Sequence, residues 1–237
     1  MVSTPLRVSM WPRPNSFKAC GTPLTTALAF SVFERSFRDF GLPAAVRADN
    51  GVPFAAPWAM FGLSRLAVWW LRLVIRLQRI KPGKPQQNGR HERMHLTLKN
   101  ETTKPAAFNF LQQQEHFEDF IRVYNHERPH QALGGLYPAQ VYTPSARPCE
   151  PPHDPEYPFH DRTVRVTRCG RICLGSRKIN VSTPLAEQLV GVREVDDQVW
   201  QVSFLEYDLG YLDRDEDRVE PGPNPFAADK VLTMCPE

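Results

Sequence analysis

The chain has no run of about eighteen uncharged apolar residues, the length a membrane-spanning helix requires. Its greasiest stretch, Leu66 to Ile80, is interrupted by Arg72, Arg76 and Arg79, so no membrane partner is expected. The opening residues lack the basic start, apolar centre and small-residue cleavage site of a secretory signal. Cysteine is sparse: Cys20, Cys149, Cys169, Cys173 and Cys235 are odd in number, and the close pair Cys169 and Cys173 lacks the two-residue spacing of a zinc knuckle or redox pair. A disulfide framework is therefore not expected, and a reducing cytoplasm fits best. Acids are missing from the start, where no Asp or Glu precedes Glu34. There is no internal repeat.

What remains is globular in balance. With 237 residues, 41% of them hydrophobic, the chain can bury one substantial core and one small one. The net charge of +3 conceals a segregation: Gly62 to Lys104 carries ten Lys or Arg against only Glu92 and Glu101, and Glu194 to Glu220 carries ten acids against Arg214 and Arg218. A basic stretch of that density fits a polyanionic partner, because each cation that neutralises a phosphate releases counterions. It also fits a solvated basic face.

Met1 to Thr26 is rich in Pro, Ser and Thr and reads as irregular. Phe30, Phe33, Phe37 and Phe40 then recur at helical spacing, and Gly41-Leu42-Pro43 supplies the stop. Ala44 to Ala48 reads as a short buried strand closed by the turn Asp49-Asn50-Gly51. Pro57 is placed to open a second helix running to about Leu73, with Leu63, Leu66, Trp70 and Leu73 as its apolar stripe. Val74 stands at the helix-to-strand junction, where a glycine cap would be favoured. Ile75 and Leu77 alternate with Arg76 and Gln78 as in a strand.

The run Lys81 to Gly89 combines prolines, glycines and polar side chains into a basic loop, which feeds a helix near Arg90 to Asn100. A further helix is predicted from about Ala106 to Asn125, with Phe110, Phe117, Ile121 and Tyr124 inward, ended by Glu127-Arg128-Pro129-His130. Six prolines between Thr143 and Pro158 mark a linker. Beyond it the pattern turns to period two at Val164 and Val166, Ile179 and Val181, and Trp200, Val202 and Phe204. With Gly170, Gly175, Gly191 and Gly210 as punctuation, this predicts a small antiparallel barrel.

Three sets of residues bear chemistry. Asp49 follows a strand at its carboxyl end, where catalytic groups sit in open α/β sheets, although Asp-Asn-Gly also serves an ordinary turn. Glu92 falls in the first turn of a helix, where the helix dipole alone favours an acid. Two carboxylates delivered from a strand end and a helix start beside a basic loop would hold divalent ions, which stabilise attacking and leaving oxygens in phosphodiester chemistry. His91-Glu92-Arg93-Met94-His95 also matches the H-E-x-x-H pattern of zinc metallopeptidases, with the histidines as ligands and Glu92 as base. Against that, Leu98 and Glu101 stand where the extended metzincin motif needs Gly and His.

Gly41-Leu42-Pro43, Arg47 to Gly51, Pro85-Gln86-Gln87-Asn88-Gly89 with Glu92 three residues on, and Tyr124-Asn125-His126-Glu127-Arg128-Pro129-His130, taken in order, resemble the integrase core of DDE-type transposases of bacterial insertion sequences. These enzymes are similar to retroviral integrases. The resemblance spans roughly Ala27 to Tyr142 and implies a ribonuclease H-like fold whose three acids bind two Mg2+ or Mn2+ ions for DNA strand cleavage and transfer. It implies that Asp49 is the second acid and Glu92 the third, both catalytic and metal-binding. Lys84, Asn88, Arg90, Arg93 and Lys99 would then lie along the path of double-stranded DNA, at transposon ends and target, and a homo-oligomer is allowed.

The family's first acid lies on a strand before the helix that matches Ala27 to Phe40, and this sequence offers no acid there. The resemblance therefore implies an upstream truncation or frameshift and a defective catalyst. The fold expected is α/β, a partial ribonuclease H-like integrase core followed by a small antiparallel β-barrel domain. Its divisions are an irregular segment 1–26, the partial core 27–143, a proline-rich linker 144–158, the barrel 159–221 and a disordered tail 222–237. A bacterial, nucleoid-associated cytoplasmic protein is expected. A non-catalytic DNA-binding remnant, resting on the basic stretch and on Arg162, Arg165, Arg168 and Arg171, and a zinc peptidase through His91, Glu92 and His95 remain as alternatives.

Overall fold

A computed structural model of the chain describes residues 26–81, 89–213 and 218–227, without the side chains of Arg90, His91 and Asp213. The irregular segment predicted before Thr26, the loop holding Lys84 and Asn88, and the last ten residues lie outside the described residues. The fold is mixed α/β, and the chain divides into two compact units, one built from residues 26–43 and 89–150 and the other from residues 44–81 and 151–227 among those described. Among the described residues no helix is long and apolar enough to cross a membrane.

The first unit is helical. Helix α1 (Thr26–Phe40) turns Ala29, Val32, Ser36 and Phe37 inward at the three- and four-residue spacing of one helix face. It stops where Gly41 takes a left-handed φ of 75° and donates its N–H to the carbonyl of Phe37. Glycine is required there twice over, because a Cβ would also lie 2.7 Å from the carbonyl oxygen of Ser145. The Ser145 hydroxyl donates to Leu42 O at 2.6 Å, and the Arg147 guanidinium donates to Pro43 O at 3.2 Å. The first half of the proline-rich linker is thus strapped to the helical unit.

Helix α3 (Gly89–Thr102) and helix α4 (Phe110–His126) share a small core of Met94, Leu98, Phe117, Phe120 and Tyr124. Helix α4 begins later than its periodicity predicts, because the Asn109 side chain accepts from the N–H of Gln112 and caps it there. Phe110, expected inward, is 61% exposed. It lies in the first turn, two turns before the buried stripe starts at Phe117; periodicity reports a face, not where the partner helix ends. The short helix α5 (Pro138–Val141) completes this unit.

The second unit opens with strand β1 (Ala45–Ala48), helix α2 (Arg65–Arg72) and strand β2 (Arg76–Arg79), the two strands pairing in parallel from Ala45 with Arg76 to Ala48 with Arg79. The strand predicted as buried is only half-buried, with Arg47 exposed, since this sheet has two strands. Helix α2 begins at Arg65 and not at Pro57: the Ser64 hydroxyl accepts from the N–H of Ala67 and supplies the cap, while Pro57 sits in a turn. The predicted stripe of Leu63, Leu66, Trp70 and Leu73 is buried throughout.

Antiparallel strands β3 (Arg162–Arg165), β6 (Leu189–Asp196), β7 (Val199–Phe204), β8 (Tyr207–Asp213) and β9 (Glu220–Pro221) pair in the order β3-β6-β7-β8-β9. Strands β4 (Arg171–Leu174) and β5 (Arg177–Asn180) form a hairpin. Val190, Val192, Val202, Phe204, Leu209 and Leu212 line the buried face, and Leu63, Ala67, Val68 and Leu71 from the helix side join the same cluster. Removing such surface from water is the main stabilising term, about 25 cal/mol per Å².

Two further segments are more ordered than the sequence implies. Arg72, counted among the basic residues, has a side chain only 10% exposed and donates to Gln188 Oε1 and to the carbonyls of Pro152 and His153. The second half of the linker is thereby fixed to the β unit. Phe226, inside the predicted tail, is 7% exposed and packs its ring 4.7 Å from that of Tyr207.

Candidate functional site

Asp49 stands at the carboxyl end of β1, exposed, in a turn of its own making. One carboxylate oxygen accepts the N–H of Gly51 at 3.1 Å, an Asx turn. The Asn50 side chain reaches across to donate to Ile80 O at 3.0 Å, tying the turn to the end of β2. Strand β1 and the turn after it leave this acid in solvent.

Glu92 belongs to the other unit and lies exposed in the first turn of α3. Met94 and Leu98 face inward, so Glu92 faces out, together with Arg93 and Lys99, both exposed. His95 is half-buried. The side chains of Arg90 and His91, like Lys84 and Asn88, lie outside the described residues. Among the described residues no group of three His, Cys, Asp or Glu comes together to hold a metal. The two carboxylates have the chemistry that suits a hard divalent cation, which takes oxygen ligands. Both are open to solvent.

The Tyr124 to His130 motif has a structural role that spacing alone did not reveal. Arg128 donates to both carboxylate oxygens of Glu101, at 2.8 and 2.9 Å, joining the end of α4 to the end of the helix that carries Glu92. Its guanidinium lies 5.9 Å from the Tyr124 ring centroid and 6.0 Å from that of Phe120, and His130 packs 4.6 Å from Tyr124. Burial pushes the Tyr124 hydroxyl above its ordinary value, with the Arg128 charge opposing. The signal available in the sequence was an arginine preceding a proline at a helix end.

The β unit presents cations of its own. Arg168 is paired with Glu187 at 3.0 Å, Arg171 donates to Asn180 Oδ1, Arg165 lies 3.6 Å from Asp154, and Arg162 sits 5.9 Å over the Trp200 ring. Arg79, counted in the basic stretch, is turned inward to donate to Gly62 O, and burial lowers its pKa from the ordinary value.

Comparison with known proteins agrees with the motifs between Pro85 and His130. Residues 73–138 match the integrase core domain family. The chain is 33% identical over 101 residues to an uncharacterised 39.2 kDa protein of insertion element IS476 from Xanthomonas euvesicatoria, an alignment covering 42% of this chain and 27% of that protein. The chain thus spans about a quarter of the length of this curated relative. A solved chain from the simian T-cell lymphotropic virus intasome bound to the PP2A regulatory subunit B56 gamma is similar at a TM-score of 0.39 and 19% identity, over 78% of this chain and 63% of that one. The segment 73–138 contains Glu92, Arg93, Lys99 and the whole H-E-x-x-H match. Residues 73–138 are thus similar to an integrase core segment, and the chain has distant similarity to an insertion-element protein.

Proposed function

We propose that the chain is part of a transposase-type DNA recombinase, with Asp49 and Glu92 as its Mg2+ or Mn2+ ligands and double-stranded DNA as its substrate. The observation that carries this reading is the integrase core match over residues 73–138, with Glu92 exposed in the first turn of α3 inside it. Bound divalent ions would polarise a scissile phosphate and stabilise the attacking and leaving oxygens. Arg93 and Lys99, on the exposed part of α3, suit phosphate contacts, with Lys84, Asn88 and Arg90 adding to them. A bacterial, nucleoid-associated setting and self-association on DNA belong to the same reading, as does closure of the C-terminal sheet into a small barrel.

The resemblance implies three acids and the sequence offers two in matching places, so strand cleavage by this chain alone should be defective by orders of magnitude. Titration with Mn2+ tests the ligand assignment: binding should weaken alike in Asp49→Asn and Glu92→Gln, and a variant that binds as the parent does would remove its residue from the site. Robust Mg2+-dependent nicking of transposon-end DNA would overturn the defect.

A second reading, a non-catalytic DNA-binding protein, is favoured by the cations Arg162, Arg165, Arg168 and Arg171 on the β unit. Arg168 is 90% exposed at its side chain. DNA affinity that fails to fall with rising salt would count against both readings.

A further inference from the structure

The loop between β1 and α2, residues 49–64, is firmly built. Phe54 and Ala55 both donate their N–H groups to Gly51 O, Ala56 N donates to Gly62 O at 3.0 Å, and Gly62 N donates to Ala59 O at 2.8 Å. The Ser64 hydroxyl donates to Phe54 O and the Arg79 guanidinium to Gly62 O. Ala55, Ala56 and Leu63 are buried, and the Phe54 ring stacks on Trp70 with centroids 6.0 Å apart.

At the tip of this loop Ala59 N donates to Ala56 O at 2.9 Å, closing a four-residue turn with Pro57 in its second place and Trp58 in its third. Trp58 is 78% exposed, whereas Trp70 is 1% exposed. The loop holds without the Trp58 side chain, so its packing does not explain the indole.

The surrounding sequence says what would cover it. Residues 44–81 carry Arg47, Arg65, Arg72, Arg76, Arg79 and Lys81, and their one acid is Asp49. Arg72 and Arg79 are turned to internal carbonyls, but Arg47, Arg65 and Arg76 are exposed. An exposed aromatic in an acid-poor, cationic segment is the composition that binds unpaired nucleic acid: the ring stacks on a base and the cations meet the backbone. An apolar protein partner would gain nothing from that charge.

We propose that Trp58 stacks on a nucleobase that has left the helical stack, so that the β1–α2 loop grips single-stranded or locally distorted DNA. A base still stacked within a duplex offers no face to the indole, and this fixes the ligand class. The proposal rests on the reading of the chain as a DNA-binding protein. It adds a substrate-positioning contact on the same loop as Asp49.

The test uses the full chain and fluorescence anisotropy with a labelled single-stranded oligonucleotide and the matching intact duplex, each over a range of NaCl concentrations. Trp58→Ala should weaken single-strand binding by roughly 10-fold or more, the loss expected for one stacked base, with the salt slope unchanged. Duplex binding should change far less, and Trp58→Phe should restore most of the loss. An unchanged unfolding midpoint in Trp58→Ala confirms that the exposed side chain was not needed for folding, and Trp58→Leu, apolar but without a ring to stack, carries the test with the same expected loss if it was. Unchanged single-strand affinity in Trp58→Ala overturns the stacking contact alone, while a parent chain that binds neither DNA overturns the DNA-binding reading with it. An equal loss on both DNAs, or loss of self-association in place of DNA binding, also overturns it.

Discussion

The two units bury their apolar residues on different scales. In the β unit, β6, β7 and β8 meet α2 around one cluster in which Phe204, Val190, Val192 and Leu209 are fully buried. Helices α3 and α4 instead share a five-residue cluster, each member of which retains 6 to 7% of its surface. The small cluster is flanked by a polar clamp, Arg128 on Glu101, and leaves Phe108, Phe110 and Leu111 in water. The lesson is a division of labour: the acid-bearing helix α3 is held by few apolar contacts and a charged pair, and Asp49 follows a half-buried strand in the unit that holds the large core.

The greatest expected effect tests that difference directly. Phe204→Ala empties the middle of β7 and should cost about 3–5 kcal/mol, whereas Phe120→Ala, in a smaller and wetter cluster, should cost about 2–3 kcal/mol. Urea unfolding of both variants measures this, and equal losses would erase the contrast. Next comes the clamp. Replacing Arg128 by Ala leaves Glu101 without the guanidinium nitrogen that donates to both its oxygens and strips a cation from two rings; because Arg128 is about a third exposed at its side chain, the loss should be about 1–2 kcal/mol. A cycle of Arg128→Ala, Glu101→Gln and the double variant reads the coupling, and additive losses would show that the pair does not act as a unit.

Local periodicity made much of this fold legible. Leu63, Leu66, Trp70 and Leu73 are buried as their spacing requires, and the short apolar run before Asp49 and the alternating run after Val74 became β1 and β2. Boundaries were lost where a cap outranked a proline: Ser64, not Pro57, starts α2, and Asn109 starts α4. Contacts between distant residues were also out of reach. Nothing local marks Phe226 as core, Arg72 as an internal donor to the linker, or Arg128 as the partner of a glutamate 27 positions away. Of the candidate site, the placing of Asp49 at a strand end was legible because a strand and turn are both local, while the exposure of Trp58 was not, since composition does not separate an exposed indole from the buried Trp70.

Smaller effects are expected within the β unit. The junction of α2 and β2 closes with Ile75 N donating to Trp70 O and Val74 N to Leu71 O, both at 2.9 Å. That pattern places the intervening residue in the left-handed region, and Val74 has a φ of 55°. A β-branched side chain is costly there and gains nothing from packing, as Val74 is 75% exposed. Val74→Gly should therefore stabilise the chain by about 0.5–1 kcal/mol in urea unfolding, the relief of strain being partly offset by the greater freedom of glycine in the unfolded state. A destabilised variant would show that the valine contributes to packing after all.

The least effect is expected at alkaline pH and concerns Tyr207. Burial against Phe226, followed by the neighbouring Glu206 charge, pushes its hydroxyl from the ordinary 10.0 up to about 12, with Arg76 opposing. A phenol whose folded value is raised favours folding while it stays neutral. That contribution is complete below about pH 10, where the unfolded form begins to ionise, and fades as pH climbs through about 12. Tyr157, raised mainly by burial, acts in the same direction. Tyr207→Phe should thus flatten, without abolishing, the fall in unfolding free energy above about pH 10, and leave its value at neutral pH nearly unchanged. An alkaline limb as steep in the variant as in the parent would assign the loss to other groups, and would remove Tyr207 from the residues through which the β unit senses pH.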